Sequence, residues 1–421
     1  MWTRGSDRRR AVAGACSIFL SCVCAPQRSA AQALSLSLPN ALERSLQHAP
    51  ELVLAEQQLR EIDARRNGAG ILLPANPRLT VEARPTLSSQ NFGTLGYAAT
   101  VDTVFDLGGA PGARVREVDR DVALGSASRD LERVVTRLRV TAAYVGAQLS
   151  QLRAEAARQG IELARRVLDA ADKRIEAGAA SEFERASAQL ELSRIEASEQ
   201  SALRERDEQP MQLREVLDIP GAQELSLTTR VDTPAPLAPL PTFLDAASQR
   251  HPDLLVLLAR LSSLSATQER LERETFPRLG LFAGVDAAPK SPVFGVVGIS
   301  GELPVAQRNQ GPRAVVARAL ETERTRLELQ KRRIEREIRG SFESHERRRA
   351  EYAVLSESGL PAAERSFELA EAGWRAGRFD WFRVALASRD LVALRSARIE
   401  ALTALWSARI ALARARGGDV P

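Results

Sequence analysis

One segment of this sequence occurs twice, about 200 residues apart. The sequence LPNALE at 38–43 returns as LPTFLD at 240–245, and the tripeptide PRL recurs at 77–79 and 277–279. An Ala-Gly dipeptide at 177–178 returns at 376–377. Landmarks that recur in the same order indicate a tandem duplication. The two halves of the chain are therefore expected to have the same architecture.

The first 31 residues have the composition of a secretory signal. Basic residues, among them Arg4 and Arg10, precede the apolar run 11–23, and small residues surround Ala31. We predict a signal peptide at 1–31, a first repeat at 32–228, a linker at 229–240 and a second repeat at 241–421. The three cysteines all lie in the signal. Cleavage near Ala31 and lipidation of Cys22 both remain open.

The charge of the remaining chain is close to balanced. The signal contains five arginines and one aspartate, so the formal net charge of +5 falls to +1 without it. Basic runs at 331–333 and 347–349 are interleaved with acidic residues such as Glu335 and Glu346. This pattern is typical of a solvated helix face and argues against a nucleic-acid surface.

Each repeat shows the same order of predicted elements. A first helix starts near Pro39 in one copy and near Pro241 in the other. Two alternating stretches follow in each copy, at 79–84 and 97–105 and at 279–285 and 293–303, and they predict four strands. Four strands are too few to close a barrel, and open edges are not tolerated in lipid. If these strands lie in a membrane, the chain must oligomerise.

A very long helix follows the strands of each repeat. No proline lies between Pro111 and Pro210, and apolar residues are spaced alternately by four and three at 138, 142, 145, 149, 152 and 156. As a helix, residues 111–178 would be about 100 Å long. The second copy runs from 312 to 377, with Pro361 as its one predicted break. Helices then return from 181 to about 216 and from 380 to about 416, so the predicted class is mainly α with a small β part.

Short sequence motifs join the strands to the long helices. In the second repeat the motif contains Arg308, Asn309, Gln310 and Gly311. Its counterpart in the first repeat contains Asp106, Gly108 and Gly109. Glycines there would permit the backbone angles that a strand-to-helix turn needs. Each repeat has the order helix, strand, strand, long helix and helix. This duplicated order and these motifs together resemble the TolC family of outer-membrane efflux proteins. The Arg-Asn-Gln-Gly form resembles its heavy-metal, cobalt-zinc-cadmium branch.

The resemblance implies a homotrimer in the bacterial outer membrane. Four strands from each of three chains would form a β-barrel, continued into the periplasm by a long α-helical barrel. The implied function is the outer-membrane channel of a tripartite efflux system, with a periplasmic adaptor and an inner-membrane pump as partners. Heavy-metal cations are a possible cargo, and the sequence does not identify the cargo.

The two Ala-Gly turns match the tips with which members of this family meet their adaptor. The tip residues are Gly178, Ser181, Glu182, Phe183, Gly377, Arg378, Asp380, Trp381 and Phe382. Ser181 and Asp380 also suit helix N-caps. For the aromatic residues, partner docking and packing between hairpins both remain open. Glu364, Glu368 and Glu371 either line the tunnel or form a solvated helix face.

The sequence gives little support to an enzyme. Its three histidines are widely spread, and no nucleophile-elbow, phosphate-loop or zinc-protease pattern occurs. We therefore predict no catalytic residue, no cofactor and no metal site. The alternative function is a periplasmic coiled-coil adaptor or structural protein of an export complex. Such an adaptor would need a lipoyl-like or barrel domain between its helices, whereas these strands directly precede each long helix.

Overall fold

The computed structural model describes residues 34–85, 95–220, 225–288, 291–302 and 304–418. The predicted signal, including Cys22, lies outside these residues. The first repeat contains β1 (Leu34–Leu36), α1 (Leu38–His48), α2 (Pro50–Ala64), α3 (Arg66–Ala69), β2 (Arg78–Pro85), β3 (Leu95–Phe105), α4 (Ala110–Glu176) and α5 (Glu182–Val216). The strand β4 (Leu225–Leu227) lies at the end of the predicted first repeat. The second repeat contains α6 (Leu240–Arg250), α7 (Pro252–Arg273), β5 (Arg278–Ala287), β6 (Phe294–Glu302), α8 (Gln310–Ala353), α9 (Leu360–Arg375) and α10 (Trp381–Ala415).

The predicted mainly helical class and the duplicated order of elements are confirmed. One detail differs, because each opening helix is divided in two. Ala49 and His251 adopt extended backbone, and the next helix starts at Pro50 or Pro252. Proline lacks an N–H group and disfavours a helical conformation in the residue before it. The same proline that ends α1 or α6 therefore begins α2 or α7.

The two long helices differ in continuity. The helix α4 runs without interruption for 67 residues. Its counterpart is interrupted by a π-helical turn at Val354–Gly359, directly before the predicted break at Pro361. The hydroxyls of Ser356 and Ser358 donate to the carbonyls of Tyr352 and Val354, four residues earlier. Such hydrogen bonds compete with the helix backbone and favour a local irregularity.

The spaced apolar positions of α4 form only part of its core. Val145 and Leu149 are buried, whereas Ala142 is exposed and its neighbours Ala143 and Tyr144 are buried instead. The alternating spacing at 138–156 therefore predicted only part of the buried surface of this helix. The helix α4 contacts α2, α5, α7 and α10, so one stripe cannot describe its burial.

The strands form two separate sheets. The main sheet is antiparallel with order β2-β3-β5-β6, so strands of both repeats contribute to it. A small parallel pair, β1 and β4, lies beside α4. There the Tyr144 hydroxyl accepts a hydrogen bond from the Thr229 N–H at 2.9 Å and lies 3.0 Å from the Leu36 carbonyl oxygen. This tyrosine therefore connects the start of the first repeat to the linker.

Within the described ranges, no helix combines the length and the apolar character needed to cross a membrane.

Candidate functional site

The main sheet has two chemically different faces. In the strand register, Leu79, Val101, Ala283 and Val297 lie side by side on one face. This face is apolar and uncovered, and Val297 is 85% exposed. The opposite face carries the charged residues, and in the register they are Arg78, Glu82, Arg84, Asp102, Arg278 and Asp286. An apolar face without a partner on a water-soluble sheet would be unfavourable, so this face requires a covering medium.

The charged face is organised by cross-strand contacts. Arg84 forms ion pairs with Glu82 at 2.9 Å and with Asp286 at 3.1 Å, and Ala98 occupies the strand position between the two carboxylates. Small residues on this face make room for neighbours. A Cβ atom added at Gly298 would lie 2.3 Å from the Phe282 ring, so that ring lies over the glycine.

Both edges of this sheet are open. Among the described residues, β2 and β6 each pair with only one strand. Their outer N–H and C=O groups are therefore available to another strand.

The first joint is built around a buried carboxylate. Asp106 is 4% exposed and forms ion pairs with Arg114 at 2.5 Å and with Arg278 at 3.0 Å. The two glycines that follow have φ values of +75° and +80°. At Gly108 a Cβ atom would lie 2.4 Å from the Phe276 ring. The predicted residues Asp106, Gly108 and Gly109 thus form one compact turn at the start of α4.

The second joint uses side chains more than glycine. Asn309, with φ of +54°, occupies the left-handed position before α8, and its Nδ2 donates to the Leu271 carbonyl at 3.2 Å. Arg308 Nε donates to the Pro304 carbonyl and Gln310 Nε2 to the Ala306 carbonyl, each at 2.9 Å. Gly311 lies inside α8 without a positive φ, so the prediction that it supplies the turn angle was wrong. Asparagine also tolerates the left-handed conformation and fills that role here.

The two hairpin turns have the same backbone structure. Gly178 and Gly377 both have φ of +68°. The Ala179 N–H donates to the Arg174 carbonyl, and the Arg378 N–H donates to the Gly373 carbonyl, each at 2.8 Å. These are Schellman motifs, which end a helix with a left-handed residue. The next helices are N-capped by Ser181 and Asp380, whose side chains accept from the N–H groups of Glu184 and Arg383.

The aromatic tip residues divide into two groups. Trp381 is 4% exposed and packs edge-on against Trp374, with 5.5 Å between ring centroids. Phe183 and Phe382 remain exposed and lie 6.0 Å apart. The tryptophan thus packs within the tip, whereas the two phenylalanines present a continuous apolar surface to the outside.

Arg174 was not predicted from the sequence, although it joins the two tips. It lies on the first hairpin and donates to the Trp374 carbonyl at 2.5 Å and to the Ala179 carbonyl at 2.9 Å. Its guanidinium also lies 4.9 Å from the Trp374 ring centroid. Two tryptophans flanking the second Ala-Gly turn were a usable sequence signal for this packing. The remaining tip residues Glu182 and Arg378 are exposed.

A groove lies between α5 and α10 and includes the exposed Phe382. It has a volume of about 550 Å³ and includes Leu190, Phe382 and Leu386 in its lining. An ion pair between Glu191 and Arg389, at 3.0 Å, lies along it.

The three glutamates predicted as possible tunnel lining are each paired with an arginine. Glu364 lies 3.2 Å from Arg395, Glu368 lies 3.6 Å from Arg365, and Glu371 lies 2.7 Å from Arg375. They do not form one carboxylate cluster. Within the part of the chain that the structure describes, no group of three or more His, Cys, Asp or Glu residues has the arrangement of a metal site.

Two histidines are buried in structural positions. His251 Nδ1 accepts a hydrogen bond from the Asp253 N–H at 3.2 Å, and its Nε2 lies 3.1 Å from the Ala415 carbonyl oxygen. Burial lowers the pKa of His251, against the opposing effect of the Asp253 carboxylate. Burial likewise lowers the pKa of His345, which packs on the inner side of α8. The neutral imidazole is thus favoured at both positions.

Comparisons with known proteins identify the fold. No protein-family profile matches the chain. The structure superposes on the outer-membrane channel OprN with a TM-score of 0.75 and 20% identity, covering 90% of both chains. Structures of CusC, solved to follow folding and transmembrane channel formation, give a TM-score of 0.75 and 16% identity, covering 90% of this chain and 92% of that one. The chain has the TolC-family fold. The TolC-family neighbours also include the CmeC outer-membrane channel of Campylobacter jejuni, with a TM-score of 0.74 and 15% identity, covering 91% of this chain and 86% of CmeC.

A curated relative agrees with this fold. The chain is 24% identical over 368 residues to the cobalt-zinc-cadmium resistance protein CzcC of Cupriavidus metallidurans, covering 85% of each sequence. The predicted resemblance to the TolC family is thereby confirmed. The neighbours OprN and CmeC are outer-membrane channels, which agrees with the prediction of a channel rather than an enzyme.

Proposed function

We propose that this protein is the outer-membrane channel of a tripartite efflux system, passing substrate from the periplasm to the exterior. The observation that carries this proposal is the main sheet, which has an uncovered apolar face, a charged face and two open edges. Lipid would cover the apolar face, and the charged face would line a water-filled lumen. The 67 residues of α4 would extend about 100 Å from this sheet, far beyond a membrane.

The working unit is a homotrimer. Lipid does not tolerate unpaired strand edges, so β6 of one copy would pair with β2 of the next. Three copies of the four-stranded sheet would give twelve strands, within the range of closed outer-membrane barrels. Repeats 32–228 and 241–421, joined by the linker 229–240, would together form one third of the ring. A cleaved or lipidated signal at 1–31 would direct the chain to export.

The internal duplication supports the same ring. The helix α7 contacts α8 of its own repeat and α4 of the other repeat. Its counterpart α2 contacts α4 of its own repeat, and Val53 and Leu54 on α2 are exposed. On α8, Val315 and Leu329 are also exposed. If α8 of a neighbouring copy packs against α2, every repeat in the ring gains the same surroundings.

The hairpin tips are the proposed adaptor-docking surface. Phe183 and Phe382 are exposed, and Phe382 is 65% accessible although it contacts another aromatic ring. The groove between α5 and α10 offers an apolar surface beside them. An adaptor hairpin with apolar residues at its tip would suit this surface, and the adaptor would connect the channel to an inner-membrane pump. Glu364, Glu368 and Glu371, now as ion pairs with arginines, stay candidates for the tunnel lining.

Heavy-metal cations are the proposed cargo class. The support is the similarity to CzcC over most of both chains. The charged face of the sheet carries both carboxylates and guanidinium groups. It would therefore line a hydrated path for the ion without forming a dedicated binding site. Cargo would move through the lumen and not be held by the protein.

Complementation tests this function. The chain is expressed with a heavy-metal pump and its adaptor in a bacterium that lacks its own channel, and survival is measured against zinc, cobalt and cadmium. We expect outer-membrane fractionation and raised metal tolerance. The double variant Phe183→Asp with Phe382→Asp should insert normally and lose tolerance, whereas Val354→Asp, another exposed apolar position, should retain it. A soluble periplasmic protein, or tolerance that does not depend on the channel, would contradict the proposal.

A further inference from the structure

Five large apolar side chains are exposed at the joints between the strands and the long helices. We call these residues the joint belt: Ile71, Leu72, Leu107, Phe276 and Val305. Val305 is 77% exposed. The members are neighbours, because the Asp106 N–H donates to the Leu72 carbonyl and Phe276 covers Gly108. Phe276 and Val305 also line one cavity of about 380 Å³.

The strands have the length of membrane-spanning strands. The strand β3 has 11 residues and β5 has 10. At about 3.3 Å per residue and a tilt of about 45°, 11 residues cover about 26 Å of membrane thickness. The apolar band of an outer-membrane barrel is about 25 Å tall. The end of β3 at Phe105 would then lie at the boundary of this band, and the joint would lie directly beyond it.

Two belt residues follow the apolar face in sequence. On β3 the residues of the apolar face include Val101, Thr103 and Phe105, and Leu107 is two residues farther along the chain. On β6 they include Val297 and Ile299, and Val305 lies three residues after the end of that strand. Both belt residues are exposed, whereas Asp106 between Phe105 and Leu107 is buried.

The backbone of the joints is hydrogen-bonded by side chains. Arg114 donates to the carbonyls of Ala69 and Ile71, at 3.1 Å and 2.7 Å. Arg308 and Gln310 donate to the carbonyls of Pro304 and Ala306. Irregular backbone near hydrocarbon is costly unless its polar groups are bonded inside the protein. At a fully hydrated joint, water would donate hydrogen bonds to these carbonyls. The side-chain donors would then contribute little to stability.

From these observations we infer that the joint belt lies in the periplasmic leaflet of the outer membrane and contacts the acyl chains next to the headgroups. The belt then borders the lipid-facing surface at the periplasmic ends of the strands and sets the depth of the channel. Arg114, Arg308 and Gln310 act as positioning residues that keep the joint backbone bonded at this boundary. The inference rests on the proposed membrane channel, since it requires the apolar face to contact lipid.

Site-directed spin labelling tests the location of the belt. The sequence has no cysteine after residue 31, so single cysteines can be introduced into the full chain. We would label Leu107→Cys and Val305→Cys, with Val297→Cys on the apolar face and Val354→Cys on the exposed π-helical turn as references. Each trimer is reconstituted in phospholipid vesicles. Collisions with oxygen, which concentrates in lipid, are compared with collisions with a water-soluble nickel chelate.

We expect the label at 297 to report a deep lipid position, those at 107 and 305 a shallow lipid position, and the label at 354 water. A label at 297 that reports water would contradict the proposed membrane channel itself. With 297 in lipid, the inference is overturned if 107 and 305 match 354. It is also overturned if they are shielded from both reagents, because a neighbouring copy would then cover the belt.

A second experiment tests the positioning residues. We expect Arg308→Ala combined with Gln310→Ala to reduce the yield of membrane-inserted trimer several-fold, because two joint carbonyls lose their donors. Arg347→Ala, an exposed arginine on α8 far from the joint, is the matched control and should insert like the parent chain. Insertion of the double variant at the control level would refute the role assigned to these side chains.

Discussion

At the scale of single residues, most of the polar side chains that the sequence predicts at the joints and tips form hydrogen bonds with the backbone of their own turn. Ser181 and Asp380 cap helices, and Arg308 and Gln310 bond joint carbonyls. Asp106 is the exception, because its buried carboxylate connects a strand to two arginines from other elements. The sequence could mark these residues by their turn chemistry, but it could not show that Arg114 and Arg278 converge on one carboxylate.

Replacing Asp106 tests that convergence. Asp106→Asn should destabilise the folded chain by about 2 kcal/mol, because two arginines lose a buried carboxylate but keep part of their solvent contact. Thermal unfolding of the purified trimer measures the change. Asp102→Asn, on the same strand and without an ion pair among the described residues, should have a much smaller effect. Equal effects of the two substitutions would show that the carboxylate of Asp106 contributes nothing special.

A pH dependence is expected from His251. Its folded-state pKa is lowered by burial, so the unfolded state binds the proton more readily. The stability that the neutral imidazole contributes is therefore complete above its ordinary pKa of about 6.5 and is lost as the pH falls below it. Protonation would also remove the hydrogen bond from the Asp253 N–H.

The midpoint temperature of unfolding should accordingly decrease as the pH is lowered from 7.5 to 5.5. In His251→Asn this decrease should be smaller. Asparagine can still cap α7 but does not titrate. His345, which shifts in the same direction, will keep part of the dependence in the variant. The control is His48→Asn at an exposed position. An unchanged pH profile in His251→Asn would show that this histidine does not titrate in the relevant range.

At the scale of elements, the duplication made the order of helices and strands predictable, whereas local differences between the copies were not. Repeated landmarks and the absence of proline predicted α4 and its counterpart. The π-helical turn depends on serine side chains bonding back to the helix, which has no distinct sequence pattern. The burial of α4 also escaped prediction, because several neighbouring helices, and not one, determine it.

The tip turns give a prediction at this scale. Changing Gly178 and Gly377 to valine should strain each turn by about 1–2 kcal/mol or more, because both have positive φ. No atom within 4 Å would clash with a Cβ atom at either position, so the effect is conformational and not steric. We expect loss of export and of cross-linking to the adaptor, with normal insertion of the barrel.

Asparagine at both positions is the control for this experiment. It tolerates the left-handed conformation better than valine and should retain most of the activity. Normal export and adaptor cross-linking by the double valine variant would show that the tips are not the docking surface.

At the scale of the whole molecule, the contacts of the proposed trimer can be derived from the chain's own repeats. The open edges of the sheet and the uncovered side of α2 are the surfaces that another copy would cover. The need for oligomerisation followed from four strands, but the contact that closes the helical part did not follow from the sequence. It required the observed packing of α7 between α4 and α8.

The register of that contact can be derived from the repeats. Within the chain, the Ser263 hydroxyl on α7 donates to the carboxylate of Asp121 on α4 at 2.5 Å. The pairing of Pro50 with Pro252 makes Glu61 the counterpart of Ser263, and the pairing of Gly109 with Asn309 makes Glu321 the counterpart of Asp121. Glu61 of one copy should therefore lie beside Glu321 of the next, and both side chains are exposed in the single chain.

Disulfide cross-linking between these two positions tests the ring most directly. In Glu61→Cys with Glu321→Cys, oxidation in outer-membrane fractions should give a denaturing-gel ladder that ends at three chains. Glu61→Cys with Glu343→Cys, farther along α8, should remain monomeric. Absence of cross-links in the first variant, or a ladder that continues beyond three chains, would contradict the closed trimeric channel.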